Sequence, residues 1–152
     1  MKKIALFPGS FDPITTGHEE TILKFLPLFD KIIIGIGKNT SKKNMFSLDK
    51  RKNWIIRTFS KYKNIKVKTY SGLTVDFCSK NNINFIIRGL RNIEDYIFEK
   101  EIALMNNEIN KKVNTILINS SSKNSHISSS LVKDIIKNGG NSKPFLASGV
   151  QL

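Results

Sequence analysis

The chain has 152 residues, 39% of them hydrophobic and 24% charged, and its 25 Lys and Arg against 12 Asp and Glu give a formal net charge of +13. This length suits one domain spanning 1–152 around one core, and the composition excludes a disordered chain. No apolar run reaches the eighteen or so residues of a membrane span.

The N-terminus carries no signal-peptide pattern, so the cytoplasm is the expected compartment and no membrane partner is expected. Cys78 has no disulfide partner, and its setting in Val75-Asp76-Phe77-Cys78 makes it a small buried hydrophobe. The charge would fit a nucleic-acid-binding module. Against it, the arginines are only Arg51, Arg57, Arg88 and Arg91, and the lysines scatter from Lys2 to Lys143, so no nucleic-acid partner is expected. A positive surface would still attract polyanionic substrates.

Five apolar runs alternate with helical stretches: Lys3–Phe7, Ile32–Ile36, Ile65–Tyr70, Phe85–Ile87 and Thr115–Ile118. Continuous β-branched runs mean strands buried on both faces, and their alternation with helices means parallel pairing through right-handed crossovers. The expected fold is α/β, a single-domain Rossmann-like doubly wound parallel five-stranded sheet.

The first strand runs into Phe7-Pro8-Gly9-Ser10-Phe11-Asp12-Pro13-Ile14-Thr15-Thr16-Gly17-His18, a strand-to-helix turn. Its glycines permit close backbone approach, Thr16 is the expected cap of a helix over Glu19 to Phe29, and Pro27 should stop or bend that helix. Free N–H groups at such a helix start, with His18 in its first turn, suit an anion. After the second strand, the polar loop Gly35 to Ser47 carries Lys38, Lys42 and Lys43, and Ser47 with Asp49 starts the next helix.

The fourth strand ends in Arg88-Gly89-Leu90-Arg91, beside the first turn where the winding reverses. Both guanidinium groups should project into that crevice and fork onto phosphate oxygens. The competing reading pairs them with Glu94 or Asp95. Asn92 to Asn110 reads as a long helix whose apolar side, with Ile93, Tyr96, Ile97, Ala103, Leu104 and Met105, is scaffold. Ser128-Ser129-Ser130 opens an amphipathic helix from Leu131 and forms a second anion cradle of hydroxyls and free amides. Asn138-Gly139-Gly140-Asn141 ends it.

The first turn resembles the T/HxGH signature of the nucleotidyltransferases, with Thr15 where many members carry a first histidine. That variant is typical of the phosphopantetheine adenylyltransferases. The resemblance continues through Ser41-Lys42-Lys43-Asn44-Met45-Phe46, Arg88-Gly89-Leu90-Arg91, Asp95-Tyr96-Ile97-Phe98-Glu99 and Ile127-Ser128-Ser129-Ser130-Leu131-Val132-Lys133, in the family's order. It implies transfer of AMP from ATP to 4′-phosphopantetheine, giving 3′-dephospho-coenzyme A and pyrophosphate.

It also implies roles. His18, Lys42 and Ser10 would be catalytic. Ser10, Phe11, His18, Gly89, Leu90, Arg91, Glu99, Asn124, Ser125, His126, Ile127, Ser128, Ser129 and Ser130 would bind ATP. Ser10, Lys42, Leu73, Thr74 and Arg88 would bind phosphopantetheine. Magnesium would accompany ATP with no dedicated protein ligands, and the family suggests a homo-oligomer, a hexamer.

Thr74, Asn124, Asp134 and the short end Pro144–Leu152 depart from the family's pattern. Other readings are an adenylyltransferase acting on nicotinate or nicotinamide mononucleotide, a cytidylyltransferase, or a nucleotide sensor without catalysis.

Overall fold

The computed structural model describes residues 2–38, 41 and 43–152. Five strands, β1 (Ile4–Gly9), β2 (Lys31–Gly37), β3 (Ile65–Tyr70), β4 (Phe85–Leu90) and β5 (Asn114–Asn119), form one parallel sheet in the order β3-β2-β1-β4-β5. The helices are α1 (Thr16–Phe25), α2 (Leu48–Thr58), α3 (Thr74–Lys80), α4 (Ile93–Ile109) and α5 (Ser129–Lys137). This is the expected Rossmann-like α/β architecture. The winding reverses between β1 and β4, so the C-terminal ends of those two strands flank the crevice where ligands of open sheets bind.

Each face of the sheet has its own apolar layer because successive side chains of a strand point to opposite sides. Phe7, Ile32, Ile34 and Ile87 pack with Ile22 and Phe25 of α1 and Trp54 and Ile55 of α2. Leu6, Ile33 and Ile86 pack with Val75 and Cys78 of α3. Gly35 on β2 is required by this packing, since a Cβ there would lie 2.7 Å from Leu6 Cδ1. Burial pushes the Cys78 thiol up to about 12, which leaves it unreactive.

Several expectations need correction. β4 runs to Leu90, so Arg88 and Gly89 lie within the ladder, paired with Leu117 and Ile118. The cap of α1 is Thr15 rather than Thr16, which is already helical, and Pro27 converts the chain to a 3₁₀ turn over Leu26–Leu28. The helix therefore starts three residues before Glu19 and ends at Phe25.

The apolar side of α4 is not core. Ile93, Ile97, Phe98, Leu104 and Met105 are exposed, and Glu99 is the buried residue of that helix. A helical period tells which residues share a face, not what covers it. Among the described residues no helix is long and apolar enough to cross a membrane.

The last ten residues brace the first turn. Ala147 N donates to Ile14 O at 3.2 Å, Thr15 bridges Leu146, and Trp54 Nε1 donates to Gln151 O at 3.1 Å.

Candidate active site

His18 is the third residue of α1, and a capping box sets its ring. Thr15 N donates to His18 Nδ1 at 3.1 Å, and the Thr15 hydroxyl lies 3.0 Å from the same nitrogen. Because Nδ1 accepts, the ring proton resides on Nε2, which leaves a donor for the cleft. The ring meets Phe11 edge-on at 5.2 Å. Phe11 is itself buried and holds a left-handed backbone (φ 49°), a strained conformation for a bulky residue that the surrounding packing maintains.

Burial of the imidazole, with the charges of Arg88 and Arg91 adding to it, lowers its pKa from 6.5 to about 4. His18 is therefore a neutral donor at physiological pH. An unfolded imidazole binds its proton near pH 6.5, so stability on this account is lost as pH falls from 6.5 toward 4. Side-chain NMR of the ligand-free protein should show His18 titrating near pH 4, with Nε2 protonated above it. Titration near 6.5 would contradict the site's electrostatics.

Asp12 lies beneath the turn at 3% exposure, and its carboxylate accepts from Met45 N at 2.8 Å and Phe46 N at 2.9 Å. Burial would raise its pKa, but those amides and Lys133 outweigh burial and hold it below the usual carboxylate range. Arg51, also buried, donates through Nη1 to Ser10 O at 2.6 Å and through Nε to Phe46 O at 3.0 Å. Together these bonds fasten the loop before α2 onto the first turn.

From β4, Arg88 donates Nε to Glu99 Oε2 at 2.8 Å and Nη2 to Oε1 at 2.5 Å, and Nη1 reaches Pro8 O at 2.7 Å. Glu99 is thus buried and engaged on both oxygens. Arg91 forks onto Asp95, Nε to Oδ2 at 2.9 Å and Nη2 to Oδ1 at 3.1 Å, so the weighed pairing with Asp95 is present. That hydrogen-bonded pair lowers the Asp95 pKa and raises that of Arg91. Both arginines nonetheless line the cleft.

Two clefts open at the switch point. The first, of about 340 Å³, is lined by Ser10, Phe11, His18, Arg88, Gly89, Arg91, Glu99, Asn124, Ile127 and Ser128 to Ser130, and also by Thr15, Lys43, Asn44 and Lys133. The second, of about 530 Å³, is lined by Ser10, Arg88, Glu99, Tyr70, Thr74, Ile102 and Asn106. Pro8, Gly9, Ser10, Arg88 and Glu99 belong to both, so the two adjoin along these residues.

Leu90 lines neither cleft because its side chain is buried, Leu73 is exposed, and Ser125 and His126 sit outside the lining. Lys42 lies outside the described residues. Ser128 caps α5 through Leu131 N at 3.2 Å, and the Ser129 hydroxyl donates to Pro13 O at 2.8 Å, which joins the serine cradle to the first turn. Asn124 and Ser121 both donate to Glu20 of α1, Ser121 at 2.9 Å.

Sequence reasoning placed the cap at Thr16 in place of Thr15 and gave no site role to Arg51, Glu20 or Lys133. For Thr15 a signal existed, since Thr15-x-x-His18 has capping-box spacing with histidine in the usual acidic place. The others meet their partners across 41 to 121 residues of chain, which no local pattern reveals.

Five cationic or imidazole side chains, His18, Lys43, Arg88, Arg91 and Lys133, therefore line the first cleft together with residues that start α1 and α5. This is a polyanion site. The carboxylates that line it, Asp12, Asp95 and Glu99, already have cationic or amide partners. No group of three or more His, Cys, Asp or Glu among the described residues could hold a metal ion.

The fold and this site define a nucleotidyltransferase, and the cytidylyltransferase-like family model matches residues 6–135. A phosphopantetheine adenylyltransferase from Christiangramia forsetii is 51% identical over 141 residues, covering 93% of this chain and 92% of that one. One from Flavobacterium psychrophilum is 47% identical over 148 residues, 97% of each. The chain belongs to the phosphopantetheine adenylyltransferase family.

Among solved structures, a bifunctional NMN adenylyltransferase/ADP ribose pyrophosphatase from Francisella tularensis, complexed with AMP and a manganese ion, superposes with a TM-score of 0.72 at 21% identity. The match covers 97% of this chain and 45% of that one, and at this identity it speaks for the fold alone.

Proposed function

We propose that the first cleft binds MgATP and the second 4′-phosphopantetheine, and that AMP passes between them at Ser10 and Arg88. The substrate phosphate attacks the α-phosphorus in line. One P–O bond forms, the bond to the bridging oxygen of the β-phosphate breaks, and pyrophosphate leaves with its electron pair. A phosphate is already ionised at neutral pH, so the step needs no general base. What it needs is alignment and neutralisation of two polyanions.

In this reading His18 Nε2 donates to the α-phosphate, where charge grows in the transition state. Lys42 and Ser10 assist, Arg91 and Ser128 to Ser130 hold the outer phosphates, and Phe11, Gly89, Asn124 and Ile127 border the nucleoside. Arg88, held by Glu99, takes the phosphate of phosphopantetheine, whose arm passes Thr74. Leu73, Leu90, Ser125 and His126 line neither cleft. Magnesium enters on the triphosphate as part of the substrate.

The observation that carries the proposal is that the two clefts adjoin, with Ser10 and Arg88 lining both and His18, its Nδ1 occupied by Thr15 N, lining the first. Pyrophosphate release should follow addition of 4′-phosphopantetheine to enzyme and MgATP. Nicotinate or nicotinamide mononucleotide as acceptor should give less than about a hundredth of that rate, because the site's polar groups would go unpaired. Equal release with a mononucleotide would refute the assignment.

The same reading makes the protein a cytoplasmic homo-oligomer, a hexamer as the family resemblance suggests. Its support is the exposed apolar face of α4, where Ile93, Ile97, Phe98, Leu104 and Met105 lie together on one helix at 56% exposure or more. Sedimentation should find an assembly that Leu104→Glu dissociates. A wild-type monomer at micromolar concentration would overturn this.

A further inference from the structure

Lys133 lies on α5 behind the serine cradle. It is four residues after Ser129 and three after Ser130, so all three share one face of the helix. That face looks toward the first turn, since Ser129 donates to Pro13 O at 2.8 Å and Lys133 Nζ donates to Asp12 Oδ2 at 3.2 Å. The Lys133 side chain is 26% exposed, and what it exposes lines the first cleft.

Asp12 is not held by this lysine alone. Its two oxygens already accept from Met45 N and Phe46 N at 2.8 and 2.9 Å, closer than the lysine at 3.2 Å. An ammonium group has three donors, of which Asp12 takes one. The other two belong to a cation held in one place beside the cradle, so a ligand would meet it with little further loss of side-chain freedom.

We infer that Lys133 is a further ligand of the outer phosphates of ATP, held ready by Asp12 as its positioning residue. The inference rests on the proposed reading of the first cleft as the ATP site. Lys133 serves the β- and γ-phosphates because it shares a helix face with Ser129 and Ser130, whereas the α-phosphate faces His18 on a different element. Arg51 supports the arrangement from below by fixing the carbonyls of Ser10 and Phe46 on either side of Asp12.

The test compares ATP and AMP binding by calorimetry in the wild type, Lys133→Met and Lys133→Arg. The methionine variant should fold, because Asp12 keeps both amides. Its affinity for ATP should fall about ten- to a hundredfold, the worth of one charge-assisted bond to phosphate, while AMP binding changes less than about twofold. Lys133→Arg should regain most of the loss. Asp12→Asn should weaken ATP selectively as well, through loss of the lysine's anchor.

Equal weakening of ATP and AMP, or no weakening of either, would overturn the inference. A second measurement needs no variant. On the native protein, ATP should protect Lys133 from acetic anhydride, mapped by mass spectrometry, and AMP should not. An unprotected Lys133 beside bound ATP would refute the assignment. Failure of the wild type to release pyrophosphate from ATP and 4′-phosphopantetheine would instead refute the underlying reading.

Discussion

Replacing His18 by alanine should lower kcat by about 10²- to 10³-fold, the cost of losing one preorganised donor to the transition state, with the KM for ATP changed only a fewfold. The split follows from where the ring proton sits. Thr15 N and its hydroxyl occupy Nδ1, so Nε2 offers a hydrogen bond that strengthens as charge develops on the α-phosphate. Arg91 and the serine cradle continue to hold the ground state. His18→Gln, which keeps a donor without the ring, should recover part of the rate. If His18→Ala turned over at the wild-type rate, the role given to this residue would be wrong.

Arg88→Ala should both destabilise the fold and abolish transfer. Glu99 has a side-chain exposure of 8% and gives both oxygens to Arg88. Removing the guanidinium strands a buried carboxylate, at a cost of about 3 kcal/mol, or roughly 6–12 °C in Tm for a chain of this length. The double change Arg88→Met with Glu99→Leu removes both charges and should restore most of the Tm. It should not restore activity, because no guanidinium remains for the acceptor phosphate. Recovery of activity along with stability would reduce Arg88 to a structural role. Unchanged stability in Arg88→Ala would show that the pair contributes nothing to the fold.

The sheet was legible because Ile32 to Ile36 and its sister runs are continuous β-branched segments that only a doubly covered strand accommodates. β4 was read too short for a physical reason. Arg88 and Gly89 look like loop residues, yet they sit in the ladder because one side of that strand faces a polar cleft rather than a helix. Confusion of Thr15 with Thr16 arose because adjacent hydroxyls compete for one cap, and only the backbone angle (φ −112°, ψ 168° at Thr15) decides between them.

In α4 the period was right and the inferred partner wrong. Among the described residues, Leu104 and Met105 are left exposed. The first turn, the paired arginines and the serine cradle could be read from residue types at the ends of strands. The bonds that aim them could not, since Arg51 reaches Ser10, Glu20 reaches Asn124 and Lys133 reaches Asp12 only after folding.

A crystal structure of the protein with MgATP bound examines the convergence of these segments most directly. His18 Nε2 should lie within about 3 Å of an α-phosphate oxygen, with Arg91 and Ser128 to Ser130 against the β- and γ-phosphates. A triphosphate lying away from the imidazole, or contacting only one of the three segments, would contradict the proposed mechanism of transfer.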